Sequence, residues 1–250
     1  MATLIFDIET VGEQWKALDV STQKTLTRWV ERTARDEVER EARIADIKSG
    51  LGFSPLTGSI VSIAVYDLER VQGAVYYRGG GEQADYVEGG FVYKERDEAG
   101  MLQDFWDGAR SYDTFVTYNG RCFDVPFLYH RSVVHGVAPS CHLLRRRYLS
   151  QQTPPYHIDL QDELTFYGAM QRRPSLHLFC RAYGIPSPKS DMTGDDVATM
   201  FAAGKFTEIA HYNADDVVAT TELYKKWYTY LSQHAIQNIP EADLDSIEIP

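Results

Sequence analysis

Short apolar runs alternate with amphipathic segments along the first half of the chain. The runs at 3–6, 59–66, 71–78 and 114–118 are rich in β-branched and aromatic residues, and turn-forming or acidic residues bound them. This pattern is typical of buried strands. Between the first two runs, residues 14–48 place apolar side chains three or four positions apart among interleaved charges. That spacing predicts one or two surface helices inserted after the first strand.

Helical spacing dominates the rest of the chain. Residues 91–93 are a candidate further strand, and 101–109 form an apolar helical stripe. Further candidate helices are 124–135, 160–168, 175–183, 195–203 and 206–232. Strands that alternate with helices and then give way to helices predict an α/β domain with a mixed sheet. We expect one domain over 1–234, with a helical insertion at about 14–50, and a poorly ordered acidic tail over 235–250.

Composition narrows the class of protein. The 250 residues are 44% hydrophobic and 24% charged, as in ordinary globular proteins. The three cysteines are an odd number without C-x-x-C spacing, which disfavours a disulfide framework and a zinc site. No apolar run approaches the ~20 residues of a membrane helix, and acidic residues interrupt the first run too early for a signal peptide. We therefore expect a cytoplasmic protein without a membrane partner.

Asp7 and Glu9 are two positions apart at the end of the first strand. Because side chains alternate along a strand, both carboxylates project to one face. Two carboxylates beside apolar neighbours repel each other, and hard oxygen ligands suit Mg²⁺ or Mn²⁺. The alternative is a pair of exposed acids at a strand end.

Two further carboxylates stand in unusual contexts. Asp124 follows the strand-and-turn string YNGRCFD, where a simple helix N-cap is the alternative explanation. Asp216 lies four residues after Tyr212 on one face of the last predicted helix. Since that face also carries apolar residues, Asp216 points towards the core, where a hydrogen bond to Tyr212 is the alternative role.

The combined order of these motifs resembles a known family. The strings LIFDIET, YNGRCFD and YNADD are similar to the three motifs of the DEDD superfamily of 3′–5′ exonucleases. They look most like the proofreading exonuclease domain of family B DNA polymerases. The segments HIDLQDELTFYGA, RPSLHLFCRAYGIPSPK and GDDVATMF resemble stand-alone, PolB-like relatives of that domain. The resemblance implies a ribonuclease H-like fold with a mixed, mostly five-stranded sheet flanked by helices.

The resemblance also implies the site and its chemistry. Asp7, Glu9, Asp124 and Asp216 would hold two divalent ions, Mg²⁺ or Mn²⁺, that stabilise the attacking and leaving oxygens. Tyr212 would orient the attacking water, since a phenol with a pKa of ~10 is a poor base at neutral pH. The residues expected to contact the substrate are Thr10, Asn119, Phe123 and Lys189. For Asn119 a turn, for Phe123 a core position and for Lys189 an exposed surface position are the alternatives.

The sequence leaves two alternatives open. His211 lies five residues before Asp216 and matches the histidine branch of the superfamily, whereas Tyr212 matches the tyrosine branch. On a continuous helix, residues four apart are about 40° apart and residues five apart about 140°, which favours Tyr212.

The expected activity is the release of nucleoside 5′-monophosphates from single-stranded 3′ ends, DNA rather than RNA. An RNA-trimming exoribonuclease and a catalytically weak nucleic-acid-binding module are the alternatives. The net charge of −11 argues against tight non-specific binding to a polyanion and motivates the second of them.

Overall fold

The computed structural model describes residues 2–81, 84–186 and 196–232. The strands in these ranges are β1 (Thr3–Gly12), β2 (Gly58–Asp67), β3 (Gln72–Tyr77), β4 (Tyr86–Glu88), β5 (Phe91–Glu95), β6 (Thr114–Thr117) and β7 (Tyr156–Asp159). They form one sheet in the order β4-β5-β3-β2-β1-β6-β7. β1 pairs antiparallel to β2 and parallel to β6, and β6 pairs parallel to β7. The carboxyl ends of β1, β6 and β7 therefore meet at one edge of the sheet.

Helices cover both faces of the sheet. In chain order the described α-helices are α1 (Val20–Thr33), α2 (Glu37–Ser49), α3 (Glu98–Ala109), α4 (Asp124–His135), α5 (Leu160–Leu164), α6 (Leu176–Ala182), α7 (Val197–Ala202) and α8 (Phe206–Tyr230). Helices α1 and α2 form the connection between β1 and β2. Within the described ranges, no helix is both long enough and apolar enough to cross a lipid bilayer.

The alternation of side chains in β1 divides the core into two layers. Leu4 and Phe6 pack with the apolar stripe of α3 and with α4 on one face of the sheet. Ile5 lies on the other face, in the layer that includes Val217 and Leu223 of α8. Because positions two apart share a face, Asp7 and the residues in step with it point towards α8.

The sheet has two strands more than the five expected. The additional strands are β4, with three residues at the sheet edge, and β7, with four, and neither segment is an apolar run in the sequence. The helix expected over 160–168 ends at Leu164, because Phe166 and Tyr167 have positive φ angles that interrupt it. Lys189 and the expected tail at 235–250 lie outside the described residues.

Candidate active site

The end of β1 brings two carboxylates to the face covered by α8. Asp7 and Glu9 lie two positions apart in β1, where β2 pairs along their length. Glu9 is only 9% exposed. A register shift follows directly after Glu9, between Glu9 and Thr10. The two acids are therefore part of the regular sheet and are not mobile groups at a frayed strand end.

Asp216 completes a close group of three acids. It lies in the middle of α8, which packs across β1 and β2. One carboxylate oxygen from each of Asp7, Glu9 and Asp216 lies within 4.8 Å of the other two. Two residues near the start of the chain and one more than two hundred positions later thus converge on one point.

Asp124 lies beside this group. It is the first residue of α4 and is 2% exposed, and its Oδ1 accepts a hydrogen bond of 3.1 Å from the backbone N–H of Ile8. The side chain of Asp124 is thus anchored to β1 between Asp7 and Glu9. The N-cap position itself belongs to Phe123, so Asp124 does not serve as the N-cap considered from sequence.

The electrostatics of the four acids are unfavourable for four negative charges. Burial raises the pKa of each carboxyl group, and for Asp124 and for Asp216 the pKa rises to about 7. Repulsion from Asp124, Asp216 and Glu9 adds to the increase for Asp7, while a hydrogen bond from Asn213 opposes it. Hard divalent cations prefer such oxygen ligands, so the donor set fits Mg²⁺ or Mn²⁺.

The four acids line an open cleft of about 880 Å³. The described part of the lining contains neither lysine nor arginine. One wall comes from the segment after α2, including Gly52 and Phe53, and another includes Tyr118 and Ser175. The cleft is thus wide enough for an extended ligand, and its described lining supplies no cationic side chain to balance the acids.

Tyr212 and His211 occupy different places although they are neighbours in α8. Tyr212 lines the cleft, and its hydroxyl hydrogen-bonds Asp216. Burial and then the nearby carboxylates raise the pKa of Tyr212, so its hydroxyl stays protonated at neutral pH. His211 instead lies beside the β4 and β5 strands, with Nε2 3.2 Å from the Tyr86 hydroxyl and its ring against Tyr93. Helix α8 is continuous through both residues, so their side chains point in directions about 100° apart around the helix axis.

Of the four residues expected to contact the substrate, three line the cleft, namely Thr10, Asn119 and Phe123. The Thr10 hydroxyl donates a 2.7 Å hydrogen bond to the Gly52 carbonyl, so it is engaged within the protein. Asn119 has a positive φ of 63°, which asparagine tolerates better than most residues and which forms the turn after β6. Lys189 is outside the described residues.

Two buried polar residues behind Asp7, Asn213 and Ser62, were not expected from the sequence. Asn213 is fully buried, and its Nδ2 donates a 2.7 Å hydrogen bond to Asp7 Oδ2. Its Oδ1 accepts a 2.8 Å bond from the Ser62 hydroxyl of β2. These two hydrogen bonds hold the Oδ2 oxygen of Asp7 in place. The available signal was its position three residues before Asp216, on the same helical face.

A second missed feature supports the turn that precedes Asp124. Asp159, at the end of β7, is 4% exposed and caps α5. Its two oxygens also accept 2.9 Å hydrogen bonds from the backbone N–H groups of Asn119 and Arg121. Asp159 therefore holds the loop between β6 and α4 in place as well as capping α5.

The chain is similar to a family of predicted exonucleases and to a DNA polymerase subunit. Residues 80–240 match the model of a family described as a predicted 3′–5′ exonuclease related to the exonuclease domain of PolB. The chain is also 24% identical over 236 residues to the catalytic subunit of DNA polymerase epsilon from Saccharomyces cerevisiae. That alignment covers 84% of this chain and 9% of the yeast protein.

The family match confirms the resemblance seen in the sequence motifs, and the mixed sheet flanked by helices fits the ribonuclease H-like fold expected for it. The matched segment covers more than half of the chain, including α4 and α8, which carry Asp124 and Asp216. The chain belongs to the family of 3′–5′ exonucleases related to the exonuclease domain of PolB.

Proposed function

We propose that the protein is a divalent-metal-dependent exonuclease that releases nucleoside 5′-monophosphates from single-stranded 3′ ends, DNA in preference to RNA. The main support is that carboxylate oxygens of Asp7, Glu9 and Asp216, one from each, lie within 4.8 Å of one another, beside the buried Asp124. The proposed catalytic domain spans residues 1–234, with 14–50 as a helical insertion.

The four acids would hold two ions. Asp7, Glu9 and Asp216 are the ligands proposed for one ion, and Asp7 and Asp124 for the other, with Asp124 acting through water. When bound, two such ions supply charge stabilisation for the attacking and leaving oxygens of an in-line displacement at phosphorus. Mg²⁺ and Mn²⁺ are the candidates because all protein donors are carboxylate oxygens.

Tyr212 is proposed to orient the attacking water. Because its pKa is raised, the phenol does not act as a base at neutral pH. Its O–H can donate to Asp216, while its oxygen remains able to accept a hydrogen bond from a water molecule. Asn213 keeps the Asp7 carboxylate in one orientation through its amide. These residues therefore position groups and do not transfer the proton themselves.

The preference for DNA rests on the relative. The yeast protein that the chain resembles is by name the catalytic subunit of a DNA polymerase. The cleft beside the acids is open, and Asn119 and Phe123 lie in its lining, where a 3′ terminus would enter. Aromatic stacking on single strands tolerates every base, which suits an enzyme that shortens a strand regardless of sequence.

The test uses 5′-labelled single strands of DNA and of RNA with the same sequence, incubated with Mg²⁺ or Mn²⁺. We expect a ladder of shortened DNA strands, release of nucleoside 5′-monophosphates, and complete inhibition by a chelator. RNA that is shortened faster than DNA would reverse the substrate preference, and cleavage that persists with chelator would refute the metal dependence.

The matched variants are adjacent in the chain. Asp216→Asn removes a proposed ligand, whereas Asp215→Asn makes the same change at an exposed position that does not line the cleft. We expect the first to abolish hydrolysis and the second to keep it. Equal activities of the two purified variants would refute the ligand assignment.

A further inference from the structure

Phe53 is an exposed aromatic residue in the wall of the proposed active site. It ends the 3-10 turn Gly50–Phe53, which connects the helical insertion to β2, and it is 57% exposed. It lines the same cleft as Asp7 and Asp216. Single exposed apolar residues are common, so exposure alone carries no meaning. The position of this ring in the cleft is the informative observation.

The ring of Phe53 adjoins the ring of Phe123. Their centroids are 6.4 Å apart and their planes are inclined by 58°. Phe123 also contacts Phe127, at a centroid distance of 5.0 Å, and so connects the pair to the core. Rings this close leave no space for a base between them. They instead form one apolar surface that the cleft exposes beside the acids.

The turn that carries Phe53 is held firmly against β1. The Thr10 hydroxyl donates to the Gly52 carbonyl, and the Thr57 hydroxyl donates to the Leu51 carbonyl at 2.8 Å. The Leu51 side chain is 4% exposed. A Cβ at Gly12 would lie 2.8 Å from the Gly52 nitrogen, so the two backbones are in direct contact. An aromatic ring on so rigid a support loses little conformational freedom when a ligand stacks on it.

Resting on the function proposed above, in which Phe123 is already an expected substrate contact, we propose that Phe53 of the insertion extends this contact into a two-ring stacking surface for the bases at the 3′ end. The helical insertion at 14–50 then has a functional role, because the turn that closes it supplies half of this surface. Thr10 becomes a positioning residue, since its hydroxyl fixes the turn and is not free for the strand. Nucleobases suit such a surface because every base presents a π-face to an aromatic ring.

The experiment measures binding separately from hydrolysis. A single-stranded DNA with 2-aminopurine as the 3′-terminal base is titrated with Asp216→Asn protein, with and without the additional substitution Phe53→Ala. Stacking quenches 2-aminopurine fluorescence, so the same titration reports affinity and ring contact. Leu56→Ala is the matched control, because Leu56 is 75% exposed, lies three residues away and is not part of the cleft lining.

We expect Phe53→Ala to weaken binding about tenfold and to reduce the quench, within the range for the loss of one base–aromatic stack. Phe53→Trp should restore both, and Leu56→Ala should change neither. In the active protein, Phe53→Ala should raise KM and leave kcat within about threefold, and the KM effect should vanish on a strand with an abasic 3′ terminus.

Two outcomes separate this inference from the function on which it rests. Equal affinity and quench for Phe53→Ala and Leu56→Ala would overturn the stacking surface even if the wild-type protein degrades DNA. Weaker binding by Phe53→Ala together with inactive wild-type protein would support the surface and refute the exonuclease mechanism.

Discussion

The carboxylate of Glu98 and the four acids of the cleft differ in how their negative charge is balanced. Glu98, the first residue of α3, is 6% exposed and binds both Arg131 and His135, with the shortest contacts at 2.7 Å. It also accepts a 2.7 Å bond from the Ile60 N–H. Burial alone would raise the pKa of Glu98, but these hydrogen bonds outweigh burial and the pKa is lowered.

Within the part of the chain that the structure describes, the acids of the cleft have no such charged partners. Asp7 accepts a hydrogen bond from the Asn213 amide, and Asp124 accepts one from the Ile8 N–H. Both donors are neutral. Their pKa values rise where that of Glu98 falls. Burial of a carboxylate therefore does not by itself mark a site. The described lining of the cleft supplies no lysine or arginine to these acids, and this contrast with Glu98 is what the metal site proposed above would explain.

A glutamate-to-glutamine substitution should reduce activity at Glu9 and stability at Glu98. The loss of activity at Glu9 is the larger expected effect. Glu9→Gln removes a proposed metal ligand, so we expect the exonuclease rate to fall by more than ~10³-fold, equivalent to about 4 kcal/mol of barrier. Its stability in urea should not fall, since the change removes a repelled buried charge. Rate assays and urea unfolding of one preparation measure both quantities. An active Glu9→Gln protein would contradict the role of Glu9 as a metal ligand.

Glu98→Gln should act on stability. It leaves the Arg131 guanidinium, whose side chain is 13% exposed, without its carboxylate. Breaking a buried pair in this way typically costs about 3 kcal/mol or more. We expect urea unfolding to show that loss, while the rate per folded molecule stays near that of the wild type. Unchanged stability would show that the Glu98 pair is not a structural counterpart to the site.

Binding of Mn²⁺ should stabilise the protein through the cleft alone. At a free ion concentration 100 times Kd, linkage gives about 2.7 kcal/mol, or roughly 5–10 °C in Tm for a chain of this size. Thermal unfolding with and without Mn²⁺ measures the shift, and a chelator should reverse it. Glu9→Gln should lose most of the shift and Glu98→Gln should keep it. A shift of equal size in Glu9→Gln would place the ions elsewhere.

The smallest expected effect is the pH dependence of the Glu98 contribution. Because its folded pKa is below the ordinary value of 4.5, the ionised carboxylate stabilises the fold above that value. This stabilisation should disappear as the pH falls through the folded pKa. The difference in unfolding free energy between wild type and Glu98→Gln should therefore shrink between pH 5 and pH 3. A difference that grows over this range would reverse the sign of the pKa shift.

The part of this site that could be predicted from the sequence is the part that depends on the periodicity of a single strand or helix. The strand pattern places Asp7 and Glu9 on one face without knowledge of the fold, and the helical angle separates Tyr212 from His211. The structure places Tyr212 in the cleft and His211 beside β4 and β5, and the catalytic role of Tyr212 stays a prediction. That Asp124 and Asp216 approach β1 depends on tertiary packing, so sequence indicated it only through a family resemblance.

The features that sequence missed depend on contacts between distant segments. Asn213 shares a helical face with Asp216, but its contacts with Asp7 of β1 and with Ser62 of β2 join positions 206 and 151 residues apart, which no local pattern predicts. Phe53 lies between the expected insertion at 14–50 and the expected strand at 59–66, in a segment with no predicted element. Its place in the cleft follows from the contact of Gly12 with Gly52, which joins β1 to the end of the insertion.

Anomalous diffraction at the manganese edge, from crystals soaked in Mn²⁺ and a nucleoside 5′-monophosphate, would locate the proposed ions. We expect two anomalous peaks in the cleft, one among Asp7, Glu9 and Asp216 and the other between Asp7 and Asp124. Nucleotide-bound crystals with no manganese peak at these carboxylates, or with peaks only elsewhere on the protein, would contradict the proposed metal site.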